Sequence, residues 1–109
     1  MYKKIVAIAL CSVGLSSVAL ASDPIAAGSV ANLTNRGDYV LFEVVSGQTN
    51  SCANCPPDPA GLGPGGYCWV ATSQTLEVQM ILTAMAHGLL FSGRVYSLAT
   101  DCTVYQITL

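Results

Sequence analysis

Residues 67–88 read YCWVATSQTLEVQMILTAMAHG, and the fold is decided there. Tyr67-Cys68-Trp69-Val70-Ala71 is rich in aromatic and β-branched side chains and predicts a short strand. Thr72-Ser73-Gln74-Thr75 then offers hydroxyls that accept hydrogen bonds from the free N–H groups of a helix start, so Ser73 or Thr75 is the expected N-cap. Glu77 falls in the first turn, where the helix dipole favours a negative charge. The spacing predicts a helix over about residues 75–88, with Gly88 ending it as the left-handed C′ residue. Val78, Ile81, Leu82, Met85 and Leu89 recur at helical intervals and form the apolar stripe expected to face the core. Leu76 and Met80 lie on the other side with Thr83 and His87, and are expected to meet a second surface.

Upstream of this strand-helix unit, residues 46–66 hold five Gly and four Pro with almost no apolar periodicity, and read as a long loop, functional or disordered. Before the loop, Ser29 to Leu33 and Tyr39 to Val45 are β-rich runs joined by the turn cluster Thr34-Asn35-Arg36-Gly37-Asp38, with Ser22 to Gly28 as a short lead-in. In the second run neither face is cleanly polar, the pattern of a strand covered on most of both sides. Downstream, Arg94 to Ala99 and Cys102 to Leu109 are strands separated by Thr100-Asp101. The order is β-β-loop-β-α-β-β in one domain, residues 22–109.

Residues 1–21 have the layout of an export signal: Lys3 and Lys4, an apolar run from Ile5 to Leu15, and Ala19-Leu20-Ala21 before the expected cleavage. That places the protein in a secreted or periplasmic setting. The apolar run is too short, and too interrupted by Ser12, Gly14, Ser16 and Ser17, for a spanning helix of ~20 residues, so no membrane insertion is expected. Past the signal, four cysteines remain: Cys52, Cys55, Cys68 and Cys102. An even number in a small exported chain reads as two disulfides. The favoured pairing joins Cys68 to Cys102 and leaves Cys52 and Cys55 as a local clip, with Cys52 or Cys55 bonded to Cys68 as the alternative. Cys52-Ala53-Asn54-Cys55 also has the spacing of a redox or zinc motif. The following Pro56-Pro57-Asp58-Pro59 cannot continue as a helix, and four reduced thiolates do not suit an oxidising compartment. No metal or cofactor is expected.

Charge excludes one class of partner. Past residue 21 the cations are Arg36 and Arg94, against six carboxylates, which leaves no basic field to neutralise phosphates, so nucleic acid is excluded. Only 9% of residues are charged, against roughly 25% in an ordinary soluble domain, which points to a surface partly covered by a partner. Catalytic constellations are missing too. His87 ends a helix among apolar neighbours with no nucleophile signature nearby. Asp38, Asp58 and Asp101 stand in turns, where Asp is a turn former. Arg36-Gly37-Asp38 matches an integrin-read tripeptide, and Asn32-Leu33-Thr34 a glycosylation sequon; Gly-Asp is equally what a tight turn requires. Trp69 and Tyr39, Tyr67, Tyr96 and Tyr105 could stack on sugars, though packing is the first use of aromatic side chains in so small a domain.

Tyr67-Cys68-Trp69-Val70, the helix from Leu76 to Met85, Ser92-Gly93-Arg94-Val95 and Asp101-Cys102-Thr103-Val104 together resemble small exported bacterial proteins. Their layout is similar to the OB-type barrel of the B subunits of pertussis-like and subtilase-type AB toxins. The resemblance implies an α+β, mostly β fold: a small OB-like β-barrel with one α-helix, stapled by disulfides. It also implies ring assembly and binding of cell-surface glycans. No binding motif of that family lies on this sequence, so no site residue is carried over. The expected function is a secreted, non-enzymatic binding module, glycan-binding and homo-oligomeric; the alternative is an interaction subunit of a secreted assembly. The candidate contact residues are Trp69, Tyr67, Leu76 and Met80.

Overall fold

The computed structural model describes residues 22–61 and 63–109. The expected export signal lies outside them. Strands β1 (Asp23–Asn35), β2 (Tyr39–Ser46), β3 (Thr49–Asn50) and β4 (Cys68–Ala71) precede the helix α1 (Thr75–His87), and β5 (Phe91–Ser97) and β6 (Asp101–Thr108) follow it. The sheet runs β1-β5-β6-β4-β2-β3, and a further β1–β2 pairing closes five of its strands into a ring. A small, mostly β domain with one helix and two disulfides is therefore the observed architecture. The two-residue β3, which extends the edge of β2, was not expected from the sequence.

Closure depends on β1. Far from a lead-in, residues 23–28 are the first half of this strand and pair with β5, while residues 29–35 pair with β2. The changeover falls at Gly28, where a Cβ would lie 2.6 Å from the Val45 carbonyl oxygen; only glycine lets the backbones come that close. A second irregularity between Ala31 and Thr34 places Asn32 at φ 53°, a left-handed conformation that Asn tolerates better than most residues. Its Nδ2 donates to Glu43 Oε1 at 2.7 Å. Both breaks bend the strand, as bulges do, and so let it serve two neighbours.

Phe42, Val44, Trp69, Val70, Phe91, Val95 and Val104 belong to one buried core, joined by Ile81 and Ala84 from the helix. Phe42 meets Phe91 edge to face at 5.3 Å, the arrangement aromatic quadrupoles favour. In β2, Val40, Leu41, Phe42 and Val44 are all buried, as a strand without a polar face requires.

The helix corrects two expectations. Its N-cap is Gln74, with no side-chain capping bond, rather than Ser73 or Thr75. A tight turn explains this: the Gln74 N–H donates to the Ala71 carbonyl at 2.9 Å, while Thr72 spends both its N–H and its hydroxyl on the Asp38 carbonyl. At the other end Gly88 takes the left-handed conformation expected of it. The second correction concerns the stripe. Ile81 and Ala84 are fully buried and Val78 packs on the core, but Leu82, Met85 and Leu89 are 47%, 44% and 40% exposed. Leu82 sits about 100° around the helix from Ile81, and the small domain covers only the band centred on Ile81 and Ala84.

Neither favoured disulfide forms. Cys52 bonds Cys68 and Cys55 bonds Cys102, with Cα separations of 5.5 and 5.9 Å. A turn at residues 50–55 brings this about: Asn50 Oδ1 accepts from the Cys52 N–H, and the Asn50 and Cys52 carbonyls accept from Ala53 and Cys55. Both cysteines of the turn are thereby buried against the ring, Cys52 reaching β4 and Cys55 reaching β6. These are the two strands joined by the parallel pairing Trp69↔Thr103. The rest of the long loop is anchored as well, since Asn50 Nδ2 donates to the Gly66 carbonyl and Gly66 N–H to the Cys55 carbonyl.

Candidate functional site: a tyrosine-lined pocket

Five elements meet around one cavity. Tyr39 opens β2 and pairs with Ala71 at the end of β4. The turn after Ala71 delivers Gln74, the N-cap of α1, and Glu77 follows in the first turn of the helix. On the opposite side the β5–β6 hairpin supplies Tyr96, Thr103, Val104 and Tyr105. Together these eight residues line a pocket of about 390 Å³, within the ~300–1,000 Å³ range of small-ligand sites.

The aromatic surface is ordered by the hairpin. Tyr96 and Tyr105 stack with their centroids 4.7 Å apart and their planes inclined by 19°, although both are exposed. A register shift around Val95↔Val104 brings the two rings together. The floor is held by a relay: the Trp69 indole Nε1–H donates to Thr103 Oγ1 at 2.9 Å, and that hydroxyl donates to Asp101 Oδ1 at 2.6 Å. Thr103 therefore positions its neighbours, while the tyrosine hydroxyls, the Gln74 amide and the Glu77 carboxylate supply the lining's remaining polar groups. Glu77 is the acidic residue of the lining, and no Lys, Arg or His lines it.

The residues singled out from sequence divide. Trp69 is buried in the core, 2% exposed, and touches the pocket only through Thr103. Tyr67 is half-buried and packs on the core. Leu76 is 66% exposed, and Met80 is half-buried. Tyr39, Tyr96 and Tyr105 were visible as candidate stacking residues, and outward alternation along β5 and β6 is the signal that marks the last two. Gln74 and Glu77 were legible only as helix-start chemistry.

Other candidates have structural uses. Cys52, Cys55 and Cys68 have sulfurs within 4.8 Å of one another, but all three are oxidised and offer no thiolate to a metal. Arg36-Gly37-Asp38 forms the β1–β2 turn, with Gly37 at φ 90° and its N–H bonded to Asn35 Oδ1, and the Arg36 guanidinium lies over Gly63. Asp58 accepts the Gly61 N–H at its carbonyl, as a turn former does, while its side chain is buried. His87 is exposed at the end of the helix. Among the described residues no helix is long and apolar enough to cross a membrane.

No protein-family model matches the chain, and no curated protein or solved structure is significantly similar to it.

Proposed function

We propose that this chain is an exported, non-enzymatic binding module that holds a carbohydrate in the tyrosine-lined pocket. The observation that carries the reading is the convergence of Tyr39, Tyr96 and Tyr105 with Gln74 and Glu77 on one cavity. Sugars present apolar C–H faces rimmed by hydroxyls. Exposed tyrosine rings cover such faces with little loss of side-chain freedom, and an amide beside a carboxylate accepts and donates at the rim. The two disulfides support an oxidising destination. A closed ring of five strands is also the strand number of OB-type folds, which commonly bind oligosaccharides at their surface.

A glycan array probed with the purified protein tests the reading. Saturable binding to a defined set of glycans, abolished by Tyr96→Ala, is expected; a blank array overturns it.

A second reading is a self-assembling subunit of a secreted complex, a homo-oligomer. It is favoured by the exposed apolar side chains Leu82, Met85, Leu89 and Leu90 along one flank of α1 and its exit, with Leu76 on another. Light scattering at micromolar concentration decides it, and a monomeric mass overturns it.

A further inference from the structure

We infer that the pocket selects neutral sugars and rejects those carrying a carboxylate, such as sialic acids, and that Glu77 is the residue responsible. This rests on the carbohydrate reading above and goes further by assigning the ligand class. The argument is electrostatic. An acidic sugar is recognised by donors that carry or concentrate positive charge, most directly an Arg fork or a Lys ammonium. The lining contains neither. Of the two arginines among the described residues, Arg94 donates from Nε and Nη2 to the hydroxyl and carbonyl of Ser22 at 2.9 Å. Arg36 lies over Gly63 in the long loop.

The remaining source of positive potential is the first turn of α1, whose N–H groups and dipole would favour an anion. Glu77 stands on that turn and in the pocket lining at once. Its carboxylate places a negative charge where an anionic ligand would need a positive one, and it accepts hydrogen bonds without donating any. A second carboxylate brought against it is repelled, and the lining offers it in exchange only uncharged donors, the tyrosine hydroxyls and the Gln74 amide. A sugar hydroxyl, in contrast, donates to Glu77 in a charge-assisted bond while the Gln74 amide can donate to a neighbouring oxygen, and the tyrosine rings receive the C–H face. The same side chain thus favours a neutral polyol and excludes an acid.

The test is calorimetric titration of the purified protein with two probes: a galactose-terminated oligosaccharide and the same oligosaccharide capped with sialic acid. Each is titrated into the native chain and into Glu77→Gln, with thermal melts confirming that the variant is folded. The expected result is binding of the neutral probe at least tenfold tighter than the capped one, with the difference falling to threefold or less in Glu77→Gln. Equal or tighter binding of the capped probe by the native chain overturns the inference and leaves the carbohydrate reading standing. A preference that survives Glu77→Gln unchanged overturns the role of Glu77. If neither probe binds, and the glycan array is blank as well, the carbohydrate reading itself falls, and this inference with it.

Discussion

Trp69 and Thr103 face each other across the parallel junction of β4 and β6, and the buried indole N–H donates to the Thr103 hydroxyl at 2.9 Å. That hydroxyl is bonded on both sides, since it passes its own proton to Asp101 Oδ1. Replacing Thr103 by Val keeps the shape and leaves the indole N–H without a partner, which costs about 1–3 kcal/mol. Thermal or denaturant melts of Thr103→Val should show a loss in that range, with Thr103→Ser restoring most of it. An unchanged midpoint in Thr103→Val would mean that water replaces the hydroxyl.

The two disulfides close loops of different length, with sequence separations of 16 and 47. In the chain-entropy model the shorter bridge is worth about 3 kcal/mol and the longer about 4 kcal/mol. Replacing Cys55 and Cys102 together by Ser should therefore destabilise the domain more than replacing Cys52 and Cys68. Peptide mapping without reductant is expected to recover the Cys52–Cys68 and Cys55–Cys102 linkages, and a Cys68–Cys102 peptide would contradict them.

Along the helix, neighbouring positions should respond oppositely. Ile81 is fully buried, so Ile81→Asp puts an unpartnered charge into the core and is expected to prevent folding. Leu82, one residue on, is nearly half exposed, and Leu82→Asp should leave a soluble, cooperatively melting protein. Circular dichroism melts of the pair check the orientation of the helix.

Gly93 stands where β5 runs tightly against β6. A Cβ there would collide with the Gln106 carbonyl oxygen, a backbone atom that cannot step aside as a side-chain tip can. Gly93→Ala should cost about 1–3 kcal/mol through forced backbone shifts, seen as a lowered denaturant midpoint. A neutral effect would require β5 and β6 to separate at this point without loss.

What could be read from sequence follows the range of the interactions involved. The order of elements, the helix limits and Gly88 at its end rest on local chemistry, and residues 67–88 carry that chemistry plainly. Cysteine pairing depends on which strands the turn at residues 50–55 meets, and spacing alone cannot supply a three-dimensional adjacency. The apolar stripe of the helix is wider than its buried band for a related reason. Helical periodicity marks every apolar residue on a side, but Leu82 and Met85 are apolar without being covered, because the domain beneath is narrower than the stripe. The pocket was half visible: its tyrosines stood out as candidate stacking residues, while their meeting with Gln74 and Glu77 depends on β2, β4, α1 and the β5–β6 hairpin arriving at one point.

The junction of β4 with β6 has one further consequence. It relies on little backbone pairing, a parallel contact centred on Trp69 and Thr103, and the two sulfur bridges grip the same pair of strands from the turn at Cys52 and Cys55. Covalent bonds there take over what a longer ladder of hydrogen bonds does elsewhere in the ring. A chain held reduced lacks that clasp, and separation of β4 from β6 would turn a closed surface into an open sheet with two unpaired rims, the form in which strands of separate molecules join and aggregate. Oxidation is thus this domain's protection against its own kind as well as a source of stability, and the chain is best folded where thiols do not persist.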